Sequence, residues 1–134
     1  MNDKKWEGKG FDKFNNIIYE LKDGKGLVKV YDNYYLELEF EGEYINGERY
    51  GKGKEYDLNN GKLKFEGEYL NGKRNGKGKE YFYRGNLQYE GEYLNDKRNG
   101  KGKEYDENGK LIFEGEYLNG KKLENNDKNI CNVI

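Results

Sequence analysis

The sequence contains no histidine, serine, threonine, alanine or proline, and its only cysteine is Cys131. Without these residues, no Ser–His or Cys–His nucleophile pair can be assembled and no imidazole can bind a metal ion. A single cysteine cannot form a disulfide within the chain, which fits a reducing compartment. We therefore expect a cytoplasmic, non-enzymatic protein that uses no cofactor and no metal.

Long apolar runs and an excess of either charge are also missing. Apolar residues make up 33% of the chain and charged residues 38%, the net charge is -1, and the mean hydropathy is -1.33. Near-neutral charge gives no basic footprint for nucleic acid. No stretch reaches the roughly 20 apolar residues that cross a bilayer, and the first ten residues lack the apolar segment of a secretory signal.

Aromatic residues, in contrast, are abundant and regularly spaced. They make up 16% of the chain, and 14 of them are tyrosine. Composition alone approaches that of disordered chains, but the fixed spacing of the rings favours order. We therefore expect a thin aromatic layer to hold the chain together in place of a globular core.

Two short phrases recur along the chain and define a repeat of 24 or 25 residues. The first, F/Y-E-G-E-Y, begins at Phe40, Phe65, Tyr89 and Phe113, and the second, GKGKEY, begins at Gly51, Gly76 and Gly100. Degenerate copies precede them at 6–12 and 16–26. The sequence thus divides into degenerate N-terminal repeats (1–39), regular repeats (40–120) and a C-terminal tail (121–134).

Each repeat has the pattern of a β-hairpin. In residues 62–69, apolar residues and glycine alternate with lysine and glutamate, the period of a strand with one apolar face. Asn-Gly dipeptides supply the turns, and GKGKEY reads as the return strand. The pattern predicts an all-β fold, an elongated single-layer antiparallel β-meander built from stacked hairpin repeats, with about nine strands between residues 16 and 117.

The same alternation assigns the side chains to two faces. Rings and glycines share one face, where each ring lies across bare glycine backbone of a neighbouring strand. Glutamates and lysines share the other, as cross-strand pairs of opposite charge. Tyr56, Tyr81 and Tyr105 are left open: strict alternation puts them on the lysine face, whereas a bulge near Gly78 would turn Tyr81 to the ring face.

This unit resembles the MORN repeat (membrane occupation and recognition nexus). The resemblance rests on Phe65-Glu66-Gly67-Glu68-Tyr69, Asn71-Gly72 and Gly76-Lys77-Gly78, with parallel sets at 40–53, 89–102 and 113–120. It covers residues 6–120, departing from the family pattern in that the second aromatic is always tyrosine and Asp96 replaces one turn glycine. The resemblance implies a slightly grooved, often dimeric sheet that acts as a scaffold associated with the membrane or the cytoskeleton, with phospholipid binding as a proposed property.

Two loop motifs resemble known binding loops, but each lacks residues that those loops require. Gly72, Gly76 and Gly78 lie near a phosphate-binding loop, but only three residues separate the first two, and the required Ser or Thr is a glycine. The turns at 57–61 and 106–109 carry acidic residues, but they lack the alternate ligands and the distant glutamate of a calcium-binding loop.

Glu66 and Glu68 are a pair of carboxylates roughly 7 Å apart on one strand face. Such a spacing suits glycoside chemistry in isolation. The pair recurs in all four copies beside lysines, which favours a solvated charge ladder. We therefore expect no catalytic residue and no small-molecule substrate.

Two surfaces are predicted to bind partners. The first is the ring face, which either serves only as core or also binds a protein partner or a second copy of the chain: Tyr44, Phe65, Tyr69, Tyr89, Tyr93, Phe113 and Tyr117. The second is the basic edge of turns, which either is ordinary solvated surface or binds anionic phospholipid: Lys73, Arg74, Lys97, Arg98, Lys121 and Lys122.

The last four residues, Cys131-Asn132-Val133-Ile134, have the form of a prenylation signal. Asn132 is not aliphatic and isoleucine is not a usual terminal residue, so the alternative is a frayed tail with a free thiol. The sequence predicts a scaffold for protein–protein interaction and self-association. The alternative is a peripheral membrane adaptor that binds anionic lipid through the basic turns, assisted by lipidation of Cys131.

Overall fold

The structure is a computed structural model that describes residues 8–11, 17–32 and 34–124. This part of the chain forms eleven β-strands and no helix. The strands are β1 (Gly8–Phe11), β2 (Ile17–Lys22), β3 (Lys25–Tyr31), β4 (Leu38–Ile45), β5 (Glu48–Tyr56), β6 (Leu63–Leu70), β7 (Lys73–Tyr81), β8 (Leu87–Leu94), β9 (Lys97–Tyr105), β10 (Leu111–Leu118) and β11 (Lys121–Lys122).

The strands form one open antiparallel sheet in which spatial order equals sequence order. Each strand pairs only with the strands before and after it in the chain, so the sheet is a single-layer meander of consecutive hairpins. The predicted fold class is confirmed, and so is the predicted strand number, because β2 to β10 are nine strands.

Asn-Gly turns close the hairpins because both turn residues adopt left-handed backbone. In the turn between β6 and β7, φ is 51° at Asn71 and 81° at Gly72, which is the pattern of a type I′ turn. The turn between β8 and β9 keeps this geometry with φ of 48° at Asn95 and 70° at Asp96. Asp96 therefore takes the conformation that glycine has in the other copies.

A bulge follows each of these turns, and a glutamate caps it. Between β6 and β7 the register shifts after Gly67. Gly67 pairs with Gly78 and Tyr69 pairs with Arg74, so β7 has two more residues than β6 in this interval. The carboxylate of Glu68 accepts a hydrogen bond from the backbone N–H of Lys77 at 2.6 Å. The same bond recurs in two other repeats, to Glu43 from Lys52 at 2.7 Å and to Glu92 from Lys101 at 2.5 Å. The second glutamate of the phrase thus holds backbone as well as charge.

The open question about three tyrosines is decided in favour of the lysine face. The hydroxyl of Tyr81 donates to Glu66 at 2.5 Å, and Glu66 is the register partner of Lys79. Equivalent bonds join Tyr56 to Glu41 at 2.5 Å and Tyr105 to Glu90 at 2.8 Å. The bulge therefore leaves these side chains on the charged face.

A row of glycines runs across the middle of the sheet. Seven of them face one another in register from β4 to β10: Gly42, Gly53, Gly67, Gly78, Gly91, Gly102 and Gly115. The ring of Phe65 lies over Gly78 so closely that a Cβ there would be 2.7 Å from its Cζ atom. The predicted packing of rings on bare backbone is therefore confirmed.

Candidate functional site

The ring face is the core of the sheet. Phe65 and Tyr89 are 0% exposed and Tyr69, Tyr93 and Tyr117 at most 4%, while Tyr44 and Phe113 are partly buried. Phe65 contacts Tyr69 of its own repeat at 5.9 Å between ring centroids and Tyr93 of the next repeat at 5.2 Å, both edge to face. Five of the seven residues predicted to bind a partner are therefore packed inside the chain, with little surface left for binding.

Charged side chains cover these rings, and the sequence alternation had missed them. The guanidinium of Arg74 lies 3.9 Å from the centroid of Phe65 and bonds to Glu55 at 2.6 Å. The hydroxyl of Tyr69 donates to the same carboxylate at 2.9 Å. The expectation that every glutamate of the repeat points to the opposite face is thus wrong for Glu55. The sequence does contain the information needed to predict this position, because Glu55 follows Gly53 by two residues and therefore lies on the same face of the strand.

The next repeat contains the same cluster. Arg98 lies 4.2 Å from the centroid of Tyr89, and its Nε and Nη2 atoms each donate to Glu80 at 2.9 Å. The hydroxyl of Tyr93 also donates to Glu80. An arginine, a glutamate and a tyrosine from three successive strands, β9, β7 and β8, therefore close the ring face over the core.

The surroundings of this cluster shift the pKa values of its glutamate and tyrosines. Burial alone would raise the pKa of Glu80, but the hydrogen bonds from Arg98 and Tyr93 and the charge of Arg98 outweigh it, so the pKa lies below its usual 4.5. Burial is the main cause that raises the pKa of Tyr93, followed by its bond to Glu80. Burial also raises the pKa of Tyr89 from 10.0 to about 12. The folded chain thus favours carboxylate and neutral phenol at the same site.

Stability should therefore form a plateau between acid and alkaline limits. As the pH falls through about 5, the unfolded chain takes up protons before Glu80 does, so the free energy of unfolding decreases. As the pH rises above about 10, tyrosines of the unfolded chain ionise while Tyr89 and Tyr93 stay neutral in the fold, and stability decreases again. Urea midpoints from pH 3 to pH 11 measure both limbs. A urea midpoint that stays constant across the acid range, or across the alkaline range, would contradict the predicted effect of the cluster on stability.

The basic turn edge is only partly free. Arg74, Arg98 and Lys122 turn onto the ring face, and Lys122 bonds to Glu104 at 2.8 Å. Lys73, Lys97 and Lys121 remain exposed along the edge. Lipid binding at this edge stays a prediction, and it now rests on Lys73, Lys97 and Lys121, three of the six residues predicted for it. Cys131 lies outside the described residues.

The opposite face is a trough with a volume of about 1640 Å³. Its floor is the glycine row, and one wall is a register row in which lysine and glutamate alternate: Lys29, Glu41, Lys54, Glu66, Lys79, Glu90, Lys103 and Glu114. The other wall contains Lys52, Glu68, Lys77, Glu92, Lys101 and Glu116. The predicted pairing of opposite charges across strands is confirmed, as in Glu66 opposite Lys79.

Neither face carries an arrangement typical of metal binding. In the part of the chain that the structure describes, no group of three or more His, Cys, Asp or Glu side chains is placed to hold a metal ion. The same residues include no helix of the length and apolarity needed to cross a membrane. What the geometry does offer is an open, mixed-charge groove on one face of the sheet.

The repeat matches a known family model in three consecutive copies. The MORN repeat model matches residues 40–62, 65–87 and 89–110, which together are about half of the chain. A search of curated proteins finds no match. The matched copies span the ring clusters and most of the trough. The chain therefore belongs to the MORN repeat family.

Proposed function

We propose that this chain is a non-enzymatic scaffold that binds a protein partner in the trough. The observation that carries the proposal is the trough itself, in which the backbone of the glycine row lies between two walls of charged side chains. The ring face is covered by arginine and glutamate, whereas the trough is an open concave surface of the described chain. Concave surfaces that combine apolar contact with a few polar groups are where proteins commonly bind ligands.

The size of the trough suits a peptide segment. Seven strands in register give six steps of about 4.8 Å, or about 29 Å of length. An extended segment of about nine residues covers that distance at about 3.3 Å per residue. The floor would contact backbone and aliphatic side-chain stems, and the walls would contact side-chain charges.

The charges of the walls favour a protein over a polyanion. Lys54, Glu66 and Lys79 are adjacent in register and alternate in sign, so no part of the wall presents one sign to a uniformly negative surface. A polypeptide can carry both signs in one segment and so match the wall. Complementary charges of this kind mainly set specificity and orientation.

Two matched double variants test this site. Lys54→Glu with Lys79→Glu makes one stretch of wall uniformly acidic, and Lys73→Glu with Lys97→Glu makes the same charge change on the turn edge. Partners captured from an extract by the parent are purified and titrated against each variant. We expect the trough variant to bind at least about tenfold more weakly and the edge variant to bind like the parent. Equal affinity of parent and trough variant would refute the proposal.

Membrane binding is the second candidate, favoured by the three exposed lysines along one edge. At about 1 kcal/mol for each basic residue near an anionic surface, Lys73, Lys97 and Lys121 supply about 3 kcal/mol, which corresponds to millimolar affinity or weaker. We therefore expect co-sedimentation with phosphatidylserine vesicles only at low salt. It should be abolished in the edge variant and kept in the trough variant. The arginines are left unchanged because they are part of the ring face.

A further inference from the structure

The charges of the trough are arranged in bands, with one sign on each strand. Lysines lie in pairs on β5, β7 and β9, and glutamates lie in pairs on β6 and β8 between them. The lysine pairs are Lys52 with Lys54, Lys77 with Lys79, and Lys101 with Lys103. Successive lysine bands are two strands apart, so they recur about every 9.6 Å along the trough.

The glutamates of the trough accept hydrogen bonds from the chain itself. On one wall each accepts a bond from a tyrosine hydroxyl, as Glu66 does from Tyr81 at 2.5 Å. On the other wall each accepts a bond from a backbone N–H, as Glu68 does from Lys77 at 2.6 Å. The glutamates bound in one of these two ways are Glu41, Glu43, Glu66, Glu68, Glu90 and Glu92. Each carboxylate therefore uses part of its acceptor capacity within the fold.

The lysines of the trough are not held in this way. All six side chains are exposed. Within the described part of the chain, only Lys103 has a carboxylate within 4.0 Å of its ammonium group, that of Glu114. Each ammonium group has three hydrogen-bond donors. The lysines are therefore the charged groups that the trough offers to acceptors of a partner.

The two lysines of a band can share one carboxylate. Lys77 and Lys79 are two residues apart on one strand, so their side chains leave the same face with Cα atoms about 6.6 Å apart. Their flexible stems allow both ammonium groups to contact an acid placed between them. Three bands thus fit three carboxylates spaced about 9.6 Å apart, and the glutamate bands repel a carboxylate placed halfway between.

The spacing of the bands selects one backbone conformation of the bound segment. In polyproline II, residues i and i+3 face the same way about 9.3 Å apart. A β-strand turns residues i, i+2 and i+4 to one side, about 6.6 and 13 Å apart, and a helix turns i and i+7 to one side, about 10.5 Å apart. From the first band to the third, polyproline II falls short by about 0.6 Å, whereas a helix overshoots by about 1.8 Å.

We propose that the trough binds an acidic segment in the polyproline II conformation, with a carboxylate at every third residue and no acidic residue between. Seven residues with acids at the first, fourth and seventh positions reach all three lysine bands. This inference rests on the proposed binding of a protein partner in the trough, and it specifies the chemistry of the segment that binds. A uniformly acidic segment is disfavoured, because it sets carboxylates opposite the glutamate bands.

Two peptides of equal composition test the spacing, titrated at low salt into isotope-labelled protein and followed by NMR. Glu-Pro-Pro-Glu-Pro-Pro-Glu should bind with a Kd of about 1 mM or tighter and should shift the backbone signals of Gly53, Gly67 and Gly78. Glu-Pro-Glu-Pro-Glu-Pro-Pro carries the same charge at the wrong spacing, and it should bind at least about fivefold more weakly. Equal affinity of the two peptides, or shifts confined to residues outside the trough, would overturn the proposal.

A matched pair of variants tests the central band. Lys77→Gln with Lys79→Gln removes two charges from the trough and should weaken binding of the first peptide about tenfold. Lys73→Gln with Lys97→Gln removes two charges from the turn edge and should bind it like the parent. Unchanged affinity of the central-band variant would refute the proposal.

The spacing and the trough can fail separately. If the first peptide does not bind, but partners captured from an extract still bind more weakly to the variant Lys54→Glu with Lys79→Glu, the proposed spacing is wrong and the trough remains the binding site. If the peptide binds as expected and the captured partners bind parent and variant equally, the proposed function fails while the chemistry of the lysine bands stands.

Discussion

Replacing Gly67 by alanine is expected to lower the free energy of unfolding by about 3 kcal/mol, at the upper end of overpacking effects. A Cβ there would lie 2.7 Å from Cα of Gly78, 2.7 Å from the carbonyl oxygen of Lys77 and 2.8 Å from Cζ of Phe65. Two of these atoms are backbone of the neighbouring strand, and the third belongs to a fully buried ring. Relief would require β6 and β7 to separate. Thermal unfolding followed by circular dichroism should show a melting point lower by about 10 °C.

Gly72→Ala is the matched control. Gly72 has a φ of 81° and no atom within 4 Å of an added Cβ, so its substitution costs only left-handed backbone strain, about 1 kcal/mol. Gly67→Ala adds the same methyl group without that strain, because its φ is not positive. A Gly67 variant as stable as the Gly72 variant would show that close packing of backbone and ring is not what the glycine row provides.

The fold could be predicted from the sequence because its local signals agree. Period-two alternation, Asn-Gly turns and a fixed repeat length all specify consecutive hairpins. They also place Phe65 over neighbouring glycine backbone, as the structure shows. Each strand contacts only its neighbours in the chain, so no long-range pairing had to be guessed. Such nearest-neighbour construction is typical of repeat proteins.

The candidate site was harder to predict, because it depends on the reach of long side chains. Strict alternation identifies the face of Glu80 but not that Arg98, on the strand after next, folds back to meet it. The turn position of Arg98 suggested a solvated basic edge, yet its guanidinium lies over Tyr89. With the rings covered, the open groove lies on the face that the sequence had marked as ordinary charged surface.

The two faces of the sheet separate stability from binding. Because arginine and glutamate seal the ring face, the rings can be buried in a sheet of one layer. Each glycine of the row gives a ring room on that face, as Gly78 does for Phe65, whereas the trough is lined by the residues on either side of the glycines. The residues that pack the core and the residues that line the trough therefore alternate along the same strands. Substitutions in the glycine row should affect folding first, whereas substitutions of the wall lysines should mainly affect binding.

Glu80→Ala is expected to cost about 3 kcal/mol. The carboxylate accepts two hydrogen bonds from Arg98 and one from Tyr93, and its side chain is 23% exposed. Removing it leaves a guanidinium and a hydroxyl without their acceptor in a largely dry site, which is costlier than the loss of the bonds alone. Urea unfolding measures the change. Glu114→Ala, at an exposed glutamate 4.0 Å from Lys103, should cost less than 1 kcal/mol.

A double-mutant cycle with Arg98→Ala separates this pair from general damage to the ring face. If Arg98 is held mainly by Glu80, the double variant should be less destabilised than the sum of the two single variants by about 1–3 kcal/mol. The acid limb should also flatten in Glu80→Ala, because the carboxylate whose pKa lies below its usual value is gone. Additive costs together with an unchanged acid limb would mean that Arg98 stabilises the sheet through its other contacts, with Tyr89, Tyr117 and Glu104. Glu80 would then have no specific role in closing the ring face.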